Sequence, residues 1–194
     1  MEKREPSKFT INTGTDLAFA LVVFISYFAA FSNGTLYNPF LITVSILLGI
    51  AYITNGIYGF AFTSRKRSNT TTLIYFSLQL LLGGLIVYYG KGAGFTALIL
   101  LPLVAHTAML LDQDWMLAAN VGIILTFVLA VFFYSGSLSV VWDGVPIFFA
   151  GQVFILIFTQ MAVTEQKARL KLETLANELS EANKSLSDYA NRVR

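Results

Sequence analysis

The sequence of 194 residues contains no cysteine, one histidine and four prolines, and only 12% of its residues are charged. Without cysteine it can form no disulfide, thiolate nucleophile or cysteine-ligated metal site. One histidine with no cysteine offers no zinc or haem site by spacing, so no cofactor is expected in this chain. No glycine-rich loop leads into Lys-Ser or Lys-Thr, which removes the P-loop phosphate cradle; Gly90, Gly92 and Gly94 read as a flexible turn. Basic residues do not alternate with aromatics along any face, and the net charge is only +2, so nucleic acid is not an expected partner.

The few charges are also unevenly placed. They cluster at residues 2–8, at 65–67 and beyond Glu165, leaving the intervening sequence almost uncharged, as the hydrocarbon core of a bilayer requires. What fills that sequence is apolar: 56% of the chain is hydrophobic and the mean hydropathy is +0.67. A window of about 19 residues marks six candidate spans. They cover residues 16–31, 39–62, 71–89, 94–111, 115–134 and 144–163. The first and fourth are short, so five spans with one re-entrant segment is the alternative. The predicted fold is all-α: a polytopic transmembrane helix bundle over residues 1–164, followed by a cytoplasmic coiled-coil segment over 165–194.

The basic start, the apolar run from Leu17 and the small residues Ala29 and Ala30 have the form of a secretory signal. More spans follow, however, and a consistent topology needs the first one, so it is read as retained. Lys3, Arg4 and Lys8, then Arg65, Lys66 and Arg67, then Lys167, Arg169 and Lys171 all fall on one side of a six-span chain. The positive-inside rule makes that side the cytoplasm and places both termini there, in a multi-pass cell-membrane protein. The opposite loops carry only Lys91 and Asp143. Tyr37, Tyr88, Tyr89, Tyr134 and Trp142 mark the outer rim, and Tyr58 and Trp115 the inner one.

Beyond Thr164 the composition turns to Glu, Lys, Arg, Gln, Asn, Ala and Leu. With Leu172 at heptad position a, the seam continues through Leu175, Leu179, Ala182, Leu186, Tyr189 and Val193, all apolar; backward it includes Ala168 at d, with Glu165 then at a. A repeat of this period specifies a left-handed seam between helices. No proline or glycine follows Gln152, so the last span and the tail are predicted to be one helix, about 48 Å long from Val163 onward at 1.5 Å per residue. One seam per chain makes a second copy the simplest partner, in a parallel homodimer. The alternative is a lone amphipathic helix on the inner leaflet, but its polar face mixes both signs of charge where an anionic leaflet favours uniformly basic residues. The sequence stops in mid-heptad at Arg194, which predicts an output domain beyond it.

Ser45 with Gly49, Gly56 with Gly59, and Gly83-Gly84 have the small-residue spacing of close helix contacts. Asn55, His106, Asn120 and Gln160 fall in the inner third of their spans, His106 roughly 8 Å from its inner end. Polar groups in lipid face the bundle and bond one another, so these four form a candidate intramembrane cluster. It is a set of structural bonds between helices, a pH-responsive, ligand or cofactor site, or a set of chance positions near water, with Asp112 and Asp114 available to a protonated His106 if their loop folds back. Asp112 and Asp114 read otherwise as a solvated loop. Pro102 and Pro146 each kink a helix or relieve strain at its end.

The stretches Leu175-Ala176-Asn177-Glu178-Leu179-Ser180-Glu181-Ala182-Asn183 and Tyr189-Ala190, behind several spans with almost no extracellular part, resemble the membrane input module of bacterial sensor histidine kinases. Similar linkers lead into the dimerising, histidine-phosphotransfer domain of that family, and also into diguanylate cyclases. The resemblance implies a missing ATP- and Mg-binding kinase half, through which a response regulator would be engaged. That half's phospho-accepting histidine is absent here, since His106 lies within a span. The expected function is therefore a signal-transmission module of a two-component sensor kinase, with no catalytic residues of its own. It would respond to a bilayer or small-molecule cue. A small transporter or scaffold with a dimerising tail is the alternative, and the transporter lacks the expected inverted repeat and paired broken helices.

Overall fold

A computed structural model describes residues 10–32, 38–66, 68–91 and 96–193. The basic residues Lys3, Arg4, Lys8 and Arg67 lie outside these, as do Tyr37, Gly92 and Gly94 and the side chains of Ala29, Ala30 and Val193. The described residues are helical almost throughout: α1 (Thr10–Ser32), α2 (Pro39–Thr54), a π-helical turn (Asn55–Gly59), α3 (Phe60–Lys66), α4 (Asn69–Tyr89), a 3-10 turn (Thr96–Leu100), α5 (Leu101–Leu110), α6 (Gln113–Ser135) and α7 (Leu138–Val193). The chain is an all-α polytopic membrane protein. It divides into two units, Met1–Leu156 and Ile157–Arg194.

Local chemistry explains the helix limits. Asn38 caps α2 by accepting from the Phe40 amide at 3.0 Å, and Pro39 takes the first turn, where its missing N–H costs nothing. Thr71 and Thr72 donate to the Ser68 carbonyl at the start of α4. Gly136 ends α6 in the left-handed region at φ 64°, which glycine adopts without strain, and its amide closes on the Phe132 carbonyl at 2.8 Å.

Four helical stretches are long and apolar enough to cross a bilayer: Pro39–Lys66, Asn69–Tyr89, Gln113–Ser135 and the apolar part of α7. The other two apolar segments, Asp16–Phe28 and Ala97–Leu110, are shorter. These are the first and fourth of the six predicted spans. The last helix begins earlier than predicted, at Leu138, so Trp142 and Asp143 lie on helix rather than in a loop. Pro146 sits inside α7 without ending it, whereas Pro102 lies in the first turn of α5.

Within the first unit, α4 packs against α2 and α6, and α5 with its 3-10 turn packs against α1, α4 and α6. The core runs through Phe19, Tyr52, Val87, Leu103, Ile123 and Phe127. Small residues admit aromatic ones. The Tyr27 hydroxyl donates to the Ser45 carbonyl at 2.7 Å, and a Cβ on Gly49 would lie 2.8 Å from the Tyr27 ring. A Cβ on Gly56 would come within 2.3 Å of the Phe19 ring. The predicted small-residue sites thus serve packing within one chain. The contacts of α7 with α6 include Phe148 stacked on Phe127 at 4.4 Å and Gln152 bonded to Asn120. The apolar stretch of α7 is the least buried of the four, 17% against 33% in α4 and α6.

In the second unit, α7 continues without interruption to Val193. Ala168, Leu172, Leu175, Leu179, Ala182, Leu186 and Tyr189 are all exposed there, Leu179 at 69%.

Candidate functional site

Among the described residues eight polar side chains are buried in the first unit; four of them, Gln79, Thr107, Asn120 and Gln152, belong to two hydrogen-bonded chains, and His106 pairs with Tyr75. The first begins at the π-helical turn. Asn55 Nδ2 donates to Gln79 Oε1 at 2.6 Å, and Gln79 Nε2 donates to the Tyr52 carbonyl at 3.2 Å. The Tyr52 hydroxyl donates in turn to the Ile99 carbonyl at 2.5 Å. In a 3-10 turn that carbonyl would accept from residue 102, which is proline and has no N–H. A side chain from α2 therefore supplies the donor that the local sequence cannot.

His106 stands beside this chain. Its Nδ1 is 2.5 Å from the Tyr75 hydroxyl, and its ring is stacked between Phe60, at 4.3 Å, and Phe19, at 5.2 Å. Which atom of the Tyr75–His106 pair donates depends on the imidazole tautomer. Only 1% of the residue is exposed, so the aromatic cage excludes solvent from it.

The second chain begins at Thr107. Its hydroxyl donates to the Val104 carbonyl at 2.7 Å and accepts from Asn120 Nδ2 at 2.8 Å. Asn120 Nδ2 also donates to the Met116 carbonyl, which holds the side chain against its own helix. From α7, Gln152 Nε2 donates to both oxygens of Asn120, Oδ1 at 2.8 Å and the carbonyl at 2.9 Å. Gln152 Oε1 is the buried side-chain acceptor that has no partner among the described residues. Flipping the amide would aim Oε1 at both oxygens of Asn120, so the observed orientation leaves one acceptor unmatched in the core.

Three of the four predicted cluster residues, Asn55, His106 and Asn120, are thus buried at least in part and bonded to other helices or neighbouring turns. Each has a partner that the sequence reading passed over: Gln79 for Asn55, Tyr75 for His106, and Thr107 and Gln152 for Asn120. Gln79 and Gln152 carried the same signal as the predicted residues, an amide within an apolar span. Gln160 lies on the exposed surface of the second unit, and Gln152, eight residues earlier on α7, is the glutamine that binds Asn120. Asp112 and Asp114 do not fold back toward the buried histidine. Both are exposed, because Asp112 is the extended residue that starts α6, and Asp114 occupies its first turn, where a carboxylate suits the helix dipole.

No group of three or more His, Asp or Glu side chains converges among the described residues. A groove of about 540 Å³ between α4 and α6 is lined mainly by apolar residues, among them Leu81, Leu129 and Phe133. The buried polar chains are therefore the feature with the most specific chemistry. They can hold helices in one arrangement, and a change in their pairing would favour another. Comparison with protein-family models, curated proteins and solved structures finds no match to this chain.

Proposed function

We propose that this chain is the membrane input and signal-transmission module of a sensor histidine kinase. The supporting observation is α7, a single helix from Leu138 to Val193 that carries Gln152, bonded in the buried polar network, and also the heptad seam. A helix is stiff along its axis, so rotating or sliding it at Gln152 would change how its seam presents itself. A bilayer or small-molecule cue would act by stabilising one packing of the bundle over another; only such a differential interaction shifts a population. Thickness is one such cue, because mismatch costs accumulate across several spans.

In this reading both termini are cytoplasmic and the tail forms a parallel homodimer. A kinase half using ATP and Mg follows in the complete protein and phosphorylates a response regulator. The test is a fusion of residues 1–194 to the phosphotransfer and catalytic domains of a well-behaved kinase, assayed for autophosphorylation in vesicles of short- and long-chain lipids. Output is expected to differ between the lipids and to lose that difference with Gln152→Leu. An active fusion insensitive to both lipid and substitution would overturn the reading.

A further inference from the structure

Counting heptads back from Leu172 in the second unit puts Ala168 at d, Glu165 at a, Met161 at d and Phe158 at a. All are exposed, Met161 at 63% and Phe158 at 55%. The repeat therefore does not begin with the charged tail. It continues into the apolar part of α7 and is broken at one position: Glu165 is the sole charged residue at an a or d position from 158 to 189. Glu165 is also half of an ion pair. Its Oε1 accepts from Arg169 Nη2 at 2.6 Å and from Arg169 Nε at 3.1 Å.

In a parallel pair of such helices, equivalent a positions face each other, so two Glu165 carboxylates share one layer. A single polar a residue weakens association while fixing register. The next layer is Ala168, which shares with Ala182 the smallest side chain of the seam. Two weak layers thus separate a membrane stretch, Phe158 and Met161, from a tail stretch beginning at Leu172. Each copy brings its own Arg169 to the flank of the seam, so two copies meet there with balanced charge. A second copy is the occupant that this balance fits.

We infer that Glu165, shielded by Arg169, is a built-in weak layer that lets the membrane and tail stretches of the α7 seam pair and separate independently. The inference rests on the homodimer proposed above. It assigns Glu165 a positioning role: the two stretches need not zip together, so a change in one can be passed on as a change of balance.

Because the natural chain has no cysteine, single cysteines report pairing without background. The full chain in lipid vesicles would carry cysteine in place of Phe158, Met161, Leu172, Leu179 or the off-seam Asn177 and be treated with a membrane-permeant oxidant. Disulfide formation at 172 and 179 should exceed that at 158 and 161. Glu165→Leu should raise the latter pair several-fold, Glu165→Gln should raise it less, and Asn177→Cys should stay low throughout. Arg169→Ala should act in the opposite direction and weaken cross-linking at 161. If 172 and 179 cross-link but 158 and 161 ignore Glu165→Leu, the weak layer is wrong and the dimer stands. If no seam position exceeds 177, the dimer fails and the inference with it.

Discussion

In the first unit polar side chains are buried and bonded while much apolar surface faces outward; in the second, apolar seam residues and charges alike are exposed along one helix. Gln152 Oε1 apart, the bundle satisfies its described buried side-chain polar groups with its own residues, as lipid demands, and its specificity lies in who bonds whom. The tail exposes an apolar seam flanked by charged residues. The buried contacts described for the bundle come from one chain, whereas the pairing proposed for the tail needs two.

The comparison is broken most severely by emptying the seam. Large-to-small changes of paired core leucines cost about 2–5 kcal/mol each. Leu175→Ala combined with Leu179→Ala should abolish cross-linking through Leu172→Cys, while thermal unfolding of the bundle in detergent stays unchanged. Persistent cross-linking would move the dimer contact away from the tail. Next in size is Gly56→Val, whose side chain would collide with the Phe19 ring. Overpacking of this kind costs about 1–3 kcal/mol. It should lower the unfolding temperature of the bundle and leave helicity of the tail intact by circular dichroism.

Smaller effects follow from the polar chains. Asn120→Leu removes the bond to Thr107 and the side-chain bond from Gln152, and hydrogen bonds between membrane helices contribute about 0.6–2 kcal/mol. Combining it with Gln152→Leu should cost less than the sum of the two single changes, because they share a partner. Strict additivity would show that the pair is not coupled. Tyr75→Phe deletes one bond to His106 while keeping the aromatic cage, and should cost about 0.6 kcal/mol, the average for such bonds.

The fold was legible wherever hydropathy alone decides. Each of the six predicted spans coincides with an apolar helical segment, and the two judged short are the short ones. The helix ends at Asn38 and Gly136 carry cap chemistry that hydropathy does not register, so the limits drawn from hydropathy alone do not use it. The early start of α7 was not legible, because Asp143 and Trp142 resemble loop residues and a proline follows them at 146. Nor was the π-helical turn at Asn55, whose support comes from Gln79 on α4 and Phe19 on α1, far away in sequence. The polar cluster was legible as a set of costly residues but not as a set of pairs. Gln160 and Gln152 are chemically the same in a sequence, and only the packing of α7 on α6 selects the second.

The central claim is that the state of the bundle reaches the tail through α7. The most direct measurement compares disulfide formation at Leu175→Cys and Leu179→Cys in lipid vesicles, with Gln152 intact and with Gln152→Leu. The account predicts that the ratio between the two positions changes when the buried attachment is removed. An unchanged ratio, with both positions still cross-linking, would contradict it.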